Sequence, residues 1–87
     1  MKDRLKQLID AEDKKNPYTD EQLAKMLNLR RDAVTILRSE LDIPDSRERR
    51  KPYLLREIMK ILSQSPEISE RKLTRAIQER GFNVSRF

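Results

Sequence analysis

Residues fifty positions apart in this 87-residue chain match in kind, and that register limits what the chain can fold into. Leu5 pairs with Leu55, Leu8 with Ile58, Ile9 with Met59, Thr19 with Ser69, Leu23 with Leu73 and Leu27 with Ile77, without a gap. In each copy the apolar residues return at three and four positions, the period of a helix with one buried face. A hydroxyl residue stands at the same place in both, where it would cap the following helix. The register predicts a duplicated helical unit of about fifty residues. A longer turn in the second copy, Gln78 to Asn83, sets Val84-Ser85-Arg86 opposite Leu29-Arg30-Arg31, so Phe87 falls where a third helix would start. On this reading the chain is a piece of a longer protein. One glycine and abundant Leu, Lys, Arg and Glu leave little material for a sheet. The expected class is all-α: two consecutive helix-turn-helix-like three-helix units, the second truncated.

A first helix is expected from about Lys2 to Asp13, with Leu5, Leu8, Ile9 and Ala11 recurring at helical spacing and Pro17 stopping any continuation. Thr19-Asp20-Glu21-Gln22 has the form of a capping box for a second helix running to Leu27. Asn28 tolerates the left-handed backbone that ends a helix sharply. A third helix from Arg30 to Leu41 turns Ala33, Val34, Leu37 and Leu41 to one side, and residues 1–44 form the first unit. Residues 45–51 hold no apolar side chain and read as a basic linker. Residues 52–87 form the second unit. Pro52 suits a first helical turn, Leu55, Ile58, Met59 and Leu62 face inward, and Ser69 caps a fifth helix that Gly81 ends.

Composition removes most chemistry. With no His and no Cys, the chain lacks the usual general base, the thiol nucleophile, the disulfide and nearly every zinc or iron–sulfur arrangement. A single glycine rules out a phosphate-cradling loop. Asp10, Glu12 and Asp13 stand at a helix end where they are expected to be solvated, too exposed for acid–base work. The chain is therefore expected to be no enzyme and to need no cofactor. No apolar run exceeds three residues, which gives no membrane segment, and the lack of Cys fits a reducing, cytoplasmic location. The net charge is +5, and the excess builds along the chain: six basic against six acidic groups over residues 1–28, seven against five over 29–51, and seven against four over 52–87. That asymmetry points to an anionic partner.

A supporting helix, a second helix, a tight turn and a third helix make the layout in which the last helix enters the major groove of DNA. Opposite its apolar stripe the third helix carries Asp32, Thr35 and Ser39, flanked by Arg31 and Arg38 on one side and Ile36 on the other. Arg31, Thr35 and Ser39 are the candidates for base contacts, Arg30 and Arg38 for positioning on phosphate. Arg47, Arg49, Arg50 and Lys51 put four cations into five positions, and Arg49, Arg50 and Lys51 are the candidates for salt-dependent affinity. Tyr18, Tyr53, Phe82 and Phe87 are too scattered for base stacking and fit packing at helix ends.

Pro17-Tyr18-Thr19-Asp20-Glu21-Gln22-Leu23-Ala24, with Arg31, Val34, Arg38, Leu41, Ile43, Pro44 and Ser46 behind it, resembles the DNA-binding end of the sigma-54 transcription factors. Arg80-Gly81-Phe82-Asn83-Val84-Ser85-Arg86 is similar to the approach to the same box in a second copy. Asp32 stands where that family has its second box arginine, Ile36 where it has lysine, and Asp42 where it has glycine before Ile-Pro. Two cations used on DNA by the family are thus missing. In kind, the chain looks more like the N-terminal region of sigma-54-dependent activators of the levan-operon type, which precedes an ATPase module. This resemblance implies a bacterial transcription regulator that binds double-stranded DNA, with ATP hydrolysis and any contact to RNA polymerase holoenzyme supplied through the full-length protein. The competing expectation is a helical docking module that uses Ile36 and the Tyr53-Leu54-Leu55 helix to bind RNA polymerase, a sigma factor or a neighbouring ATPase domain.

Overall fold

The computed structural model of the chain describes residues 1–85, which form five helices and no strand: α1 (Lys2–Ala11), α2 (Asp20–Leu27), α3 (Arg31–Glu40), α4 (Ser46–Gln64) and α5 (Glu70–Glu79). The all-α expectation holds. Arg86 and Phe87, with the expected break in the second copy, lie outside the described residues. No described helix is long and apolar enough to cross a membrane.

Two separate apolar clusters divide the molecule. Leu5, Ile9, Leu23, Ala24, Leu27 and Val34 are buried together from α1, α2 and α3, with Leu8, Tyr18, Leu29, Leu37, Leu41 and Ile43 packed around them. The second cluster joins α4 and α5 through Leu54, Ile61 and Ile77, and the chain after α5 adds Phe82 and Val84. Each fully buried Leu or Val contributes about 1.5 to 3 kcal/mol relative to exposure, and the first cluster has the wider rim of partly buried side chains, six against four. The whole measures 47 × 18 × 17 Å.

The segment expected to be a linker is instead the first part of α4. Asp45 caps that helix by accepting from the Glu48 N–H at 2.9 Å, and Ser46 to Lys51 are helical. Residues without apolar side chains can be helical when a cap starts the helix and good helix formers follow, as Arg, Glu and Lys do here. Pro52 therefore lies inside α4 rather than in its first turn; it is exposed, and the Glu48 carbonyl it leaves without an intrahelical donor can be hydrated.

The fifty-residue register holds in one helix and slips in the other. Thr19 and Ser69 both cap, and Leu23 and Leu27 are matched by Leu73 and Ile77 in their core positions. In α4 the expected inward residues Leu55, Met59 and Leu62 are 47%, 70% and 39% exposed, and Leu54, Ile58 and Ile61 face α5 instead. Both sets follow the i, i+4, i+7 rule, so periodicity alone could not choose between them. The choice is set by rotation of α4 about its axis, which its first turns fix by gripping the first unit.

Candidate nucleic-acid interface

The helix-turn-helix is closed by local chemistry. Thr19 Oγ1 accepts from the Gln22 N–H at 3.1 Å while Gln22 Oε1 accepts from the Thr19 N–H at 3.0 Å, a reciprocal cap that fixes where α2 begins. At its other end Asn28 has φ 55°, and the Leu29 N–H donates back to the Ala24 carbonyl at 2.9 Å. The chain reverses there and α3 starts at Arg31. At the end of α3 the same device recurs: Asp42 has φ 56°, and the Ile43 N–H bonds to the Arg38 carbonyl at 3.1 Å. A glycine would meet this left-handed position without steric cost, which accounts for the glycine of the sigma-54 pattern at the place where this chain has Asp42.

Two arginines expected on DNA are held inside the protein. Arg38 places Nε 3.0 Å from Asp20 Oδ1 and Nη2 3.0 Å from Oδ2, and donates through Nη1 to the Ile43 carbonyl at 3.0 Å. Thr35 donates its hydroxyl to the same carboxylate at 2.8 Å. Burial of the Asp20 carboxyl pushes its pKa up, but the hydrogen bonds from Arg38 and Thr35 and the charges of Arg38 and Arg49 outweigh burial and hold it below its ordinary value of 3.8. This network ties α2 to α3. Arg38 is therefore not a free phosphate contact, and Thr35 is half-buried with its hydroxyl engaged.

Arg49 is more fully engaged. Its Nε and Nη2 donate to the two Glu12 oxygens at 2.8 and 3.0 Å, Nη1 donates to the Pro44 carbonyl at 2.7 Å, and Nη2 also reaches the Tyr18 carbonyl at 2.6 Å. Glu12, expected to be solvated, is only 5% exposed and also accepts from the Tyr18 N–H at 3.0 Å. The reason lies in spacing: Leu5, Ile9 and Glu12 stand at i, i+4 and i+7, so the carboxylate shares the inward face of α1 and needs a buried cation. Arg49 supplies it from the start of α4, and the grip fixes the rotation of that helix.

What stays presented to solvent is narrower than the basic composition indicates. Arg31 and Ser39 are exposed on α3, with Asp32 and the 59%-exposed Ile36 on the same outer side, and Arg30 is exposed at its N-cap. Arg31 and Arg47 face a cleft of about 390 Å³ whose other lining residues include Thr19, Thr35, Asp45 and Ser46, with the Asp20–Arg38 pair among them. Neither arginine makes an ion pair among the described residues. Arg50 is half-buried, and its Nε has no hydrogen-bond partner at a second cavity of about 170 Å³ beside Thr19, Gln22, Ser46 and Asn83. Lys51 is exposed. Arg31 and Ser39 thus stay exposed on α3, Arg30 is exposed at its N-cap and Arg47 shares the cleft with Arg31, while Arg38 and Arg49 serve the interior. Asp20 and Glu12 as their partners were not among the sequence expectations, and Arg47, one of the four clustered cations, was not among the chosen candidates; the inward phase of Glu12 was the usable signal. Among the described residues no group of carboxylates could hold a metal ion.

α3 thus ends the helix-turn-helix with a polar, cation-edged outer face. No curated protein and no solved structure matches the chain. Residues 1–51, which hold α1 to α3 and the start of α4, match the family described as "Sigma-54, DNA binding domain", and the chain belongs to that family.

Proposed function

We propose that the chain is the DNA-binding region of a bacterial sigma-54-dependent transcription regulator, acting in the cytoplasm by binding and not by catalysis. Helix α3 enters the major groove, where Arg31 and Ser39 meet base edges and Ile36 touches a thymine methyl. Arg30 and Arg47 sit on the flanking phosphates, with Arg50 and Lys51 adding to the salt-dependent attraction. Thr35 and Arg38 act one step back: by holding Asp20 they fix α3 against α2. The observation that carries this reading is the exposure of Arg31 and Ser39 on the third helix, and of Arg30 at its cap, in a segment that matches a DNA-binding family. Any contact with RNA polymerase holoenzyme, and any ATP hydrolysis, belongs to the rest of a longer activator.

A gel-shift series on duplexes bearing single base changes tests it. Arg31→Ala should relax the preference at one base position, a loss of about 1 to 3 kcal/mol of discrimination. An unaltered preference would place the reading helix elsewhere.

One observation favours a second reading. The exposed stripe Leu55, Met59 and Leu62 on α4 is a surface on which RNA polymerase, a sigma factor or a neighbouring ATPase domain could dock. Salt separates the two readings, since an apolar contact keeps its affinity at salt concentrations that release DNA.

A further inference from the structure

The segment beyond the family match has basic chemistry of its own. The cations of its α4 part have partners, Lys60 pairing with Glu57 at 3.6 Å and Arg56 lying over the Tyr53 ring, and Arg80 at the end of α5 pairs with Glu57 at 3.2 Å. On α5, Arg71 and Arg75 make no ion pair among the described residues. They stand one turn apart and line an open groove of about 490 Å³ with Glu70, Thr74, Gln78 and Ser85.

None of the six lining residues is apolar. A docked protein helix would need an apolar centre to its contact, as α3 finds on Ala24 and Leu27 of α2. Two guanidinium groups, each able to present paired N–H donors to one anion, suit a chain of phosphates instead. Glu70 sits in the first turn of α5, where the helix dipole favours a carboxylate, and it offsets one of the two charges. Thr74 spends its hydroxyl proton on the Glu70 carbonyl and Gln78 its amide on the Val84 carbonyl, so the arginines are the groove's strong donors.

The two units are also tied to one another. Asn16 donates to the Gly81 carbonyl and accepts from the Asn83 N–H, both at 2.7 Å, and Lys15 donates to the Arg80 carbonyl at 2.7 Å while lying over Phe82. Whatever holds the first unit therefore carries α5 with it. The 47 Å long axis corresponds to about 14 base pairs at the rise of duplex DNA.

We propose that Arg71 and Arg75 form a second, sequence-independent contact to the DNA backbone, extending the footprint beyond the site of α3. This rests on the DNA-binding reading of the first unit. The test uses the full chain and a duplex of about 25 base pairs, with affinity followed by fluorescence anisotropy between about 50 and 200 mM salt. Removing two phosphate contacts in Arg71→Ala/Arg75→Ala should make the plot of log affinity against log salt shallower by about 2, at about 0.9 per contact. The region protected from cleavage should shorten on one side, and base preference should persist. Arg71→Lys/Arg75→Lys should restore the slope, which guards against an effect of misfolding. If the wild type binds and the Ala pair leaves slope and footprint unchanged, this inference fails alone; if the wild type does not bind duplex DNA, the reading of the first unit fails with it.

Discussion

The arginines that brace the first unit, Arg38 from within it and Arg49 from α4, are mostly buried in it, while those of the second unit stay at the surface. Around α1 to α3, Arg38 and Arg49 are sunk onto Asp20 and Glu12, with side-chain exposures of 12% and 9%. Around α4 and α5 the ion pairs of Glu57 with Lys60 and Arg80 lie at the surface, with the cations 61% and 42% exposed. Exposed pairs contribute little, at most about 1 kcal/mol, whereas a buried pair becomes costly once one partner is lost. Counting cations therefore overstates the DNA-binding surface where arginines are mostly buried on carboxylates.

The comparison can be broken most sharply at Glu12. Glu12→Ala leaves the Arg49 charge buried without its carboxylate and should cost about 3 to 5 kcal/mol in chemical denaturation. Glu12→Leu with Arg49→Met removes both charges and should recover most of that loss. A loss in Glu12→Ala no larger than that of Glu57→Ala would mean that the two units do not differ in this way.

Next in size is the contrast within the repeat. Leu5→Ala should destabilise by about 2 to 5 kcal/mol, because Leu5 is fully buried. Its partner in the fifty-residue register, Leu55, is exposed, and Leu55→Ala should change stability by about 0.5 kcal/mol or less. Equal losses would restore the original register to α4.

Asp20 gives a pH signature. Its folded pKa is lowered, so its carboxylate stabilises the fold at pH values well above 3.8, and that contribution is lost as pH falls through the lowered folded value. Asp20→Asn should cost about 1.5 to 3 kcal/mol at neutral pH, by weakening hydrogen bonds to charged Arg38. It should also flatten the acid limb of the stability curve, and an unchanged acid limb would mean that the pair does not form. The smallest effect is expected at Asp42. Asp42→Gly relieves a left-handed residue and should stabilise by up to about 1 kcal/mol, less what the freer unfolded chain takes back.

These contrasts show what the residues could and could not reveal. The helix-turn-helix was legible because its signals are local: Thr19 with Gln22 at one end of α2, Asn28 at the other, and an apolar stripe on α3. The start of α4 was not, because Pro52 and the absence of apolar residues hid a helix started by the Asp45 cap. The inward face of α4 was not legible either, since Leu54, Ile58, Ile61 and Leu55, Met59, Leu62 obey the same period and the deciding contact, Arg49 on Glu12, lies 37 positions apart in sequence. The site suffered from the same blindness. Arg31 and Ser39 are exposed, as the helical wheel has them, but whether an arginine faces DNA or a carboxylate depends on tertiary partners such as Asp20.

Titration of the isotopically labelled chain with duplex DNA, followed by backbone amide NMR shifts, tests the central claim most directly. The account predicts the largest shifts at Arg30 to Ser39 and Ser46 to Lys51, with smaller ones on α5 around Arg71 and Arg75. Shifts confined to the Leu55, Met59 and Leu62 stripe, or none at DNA concentrations that saturate known binders, would contradict it.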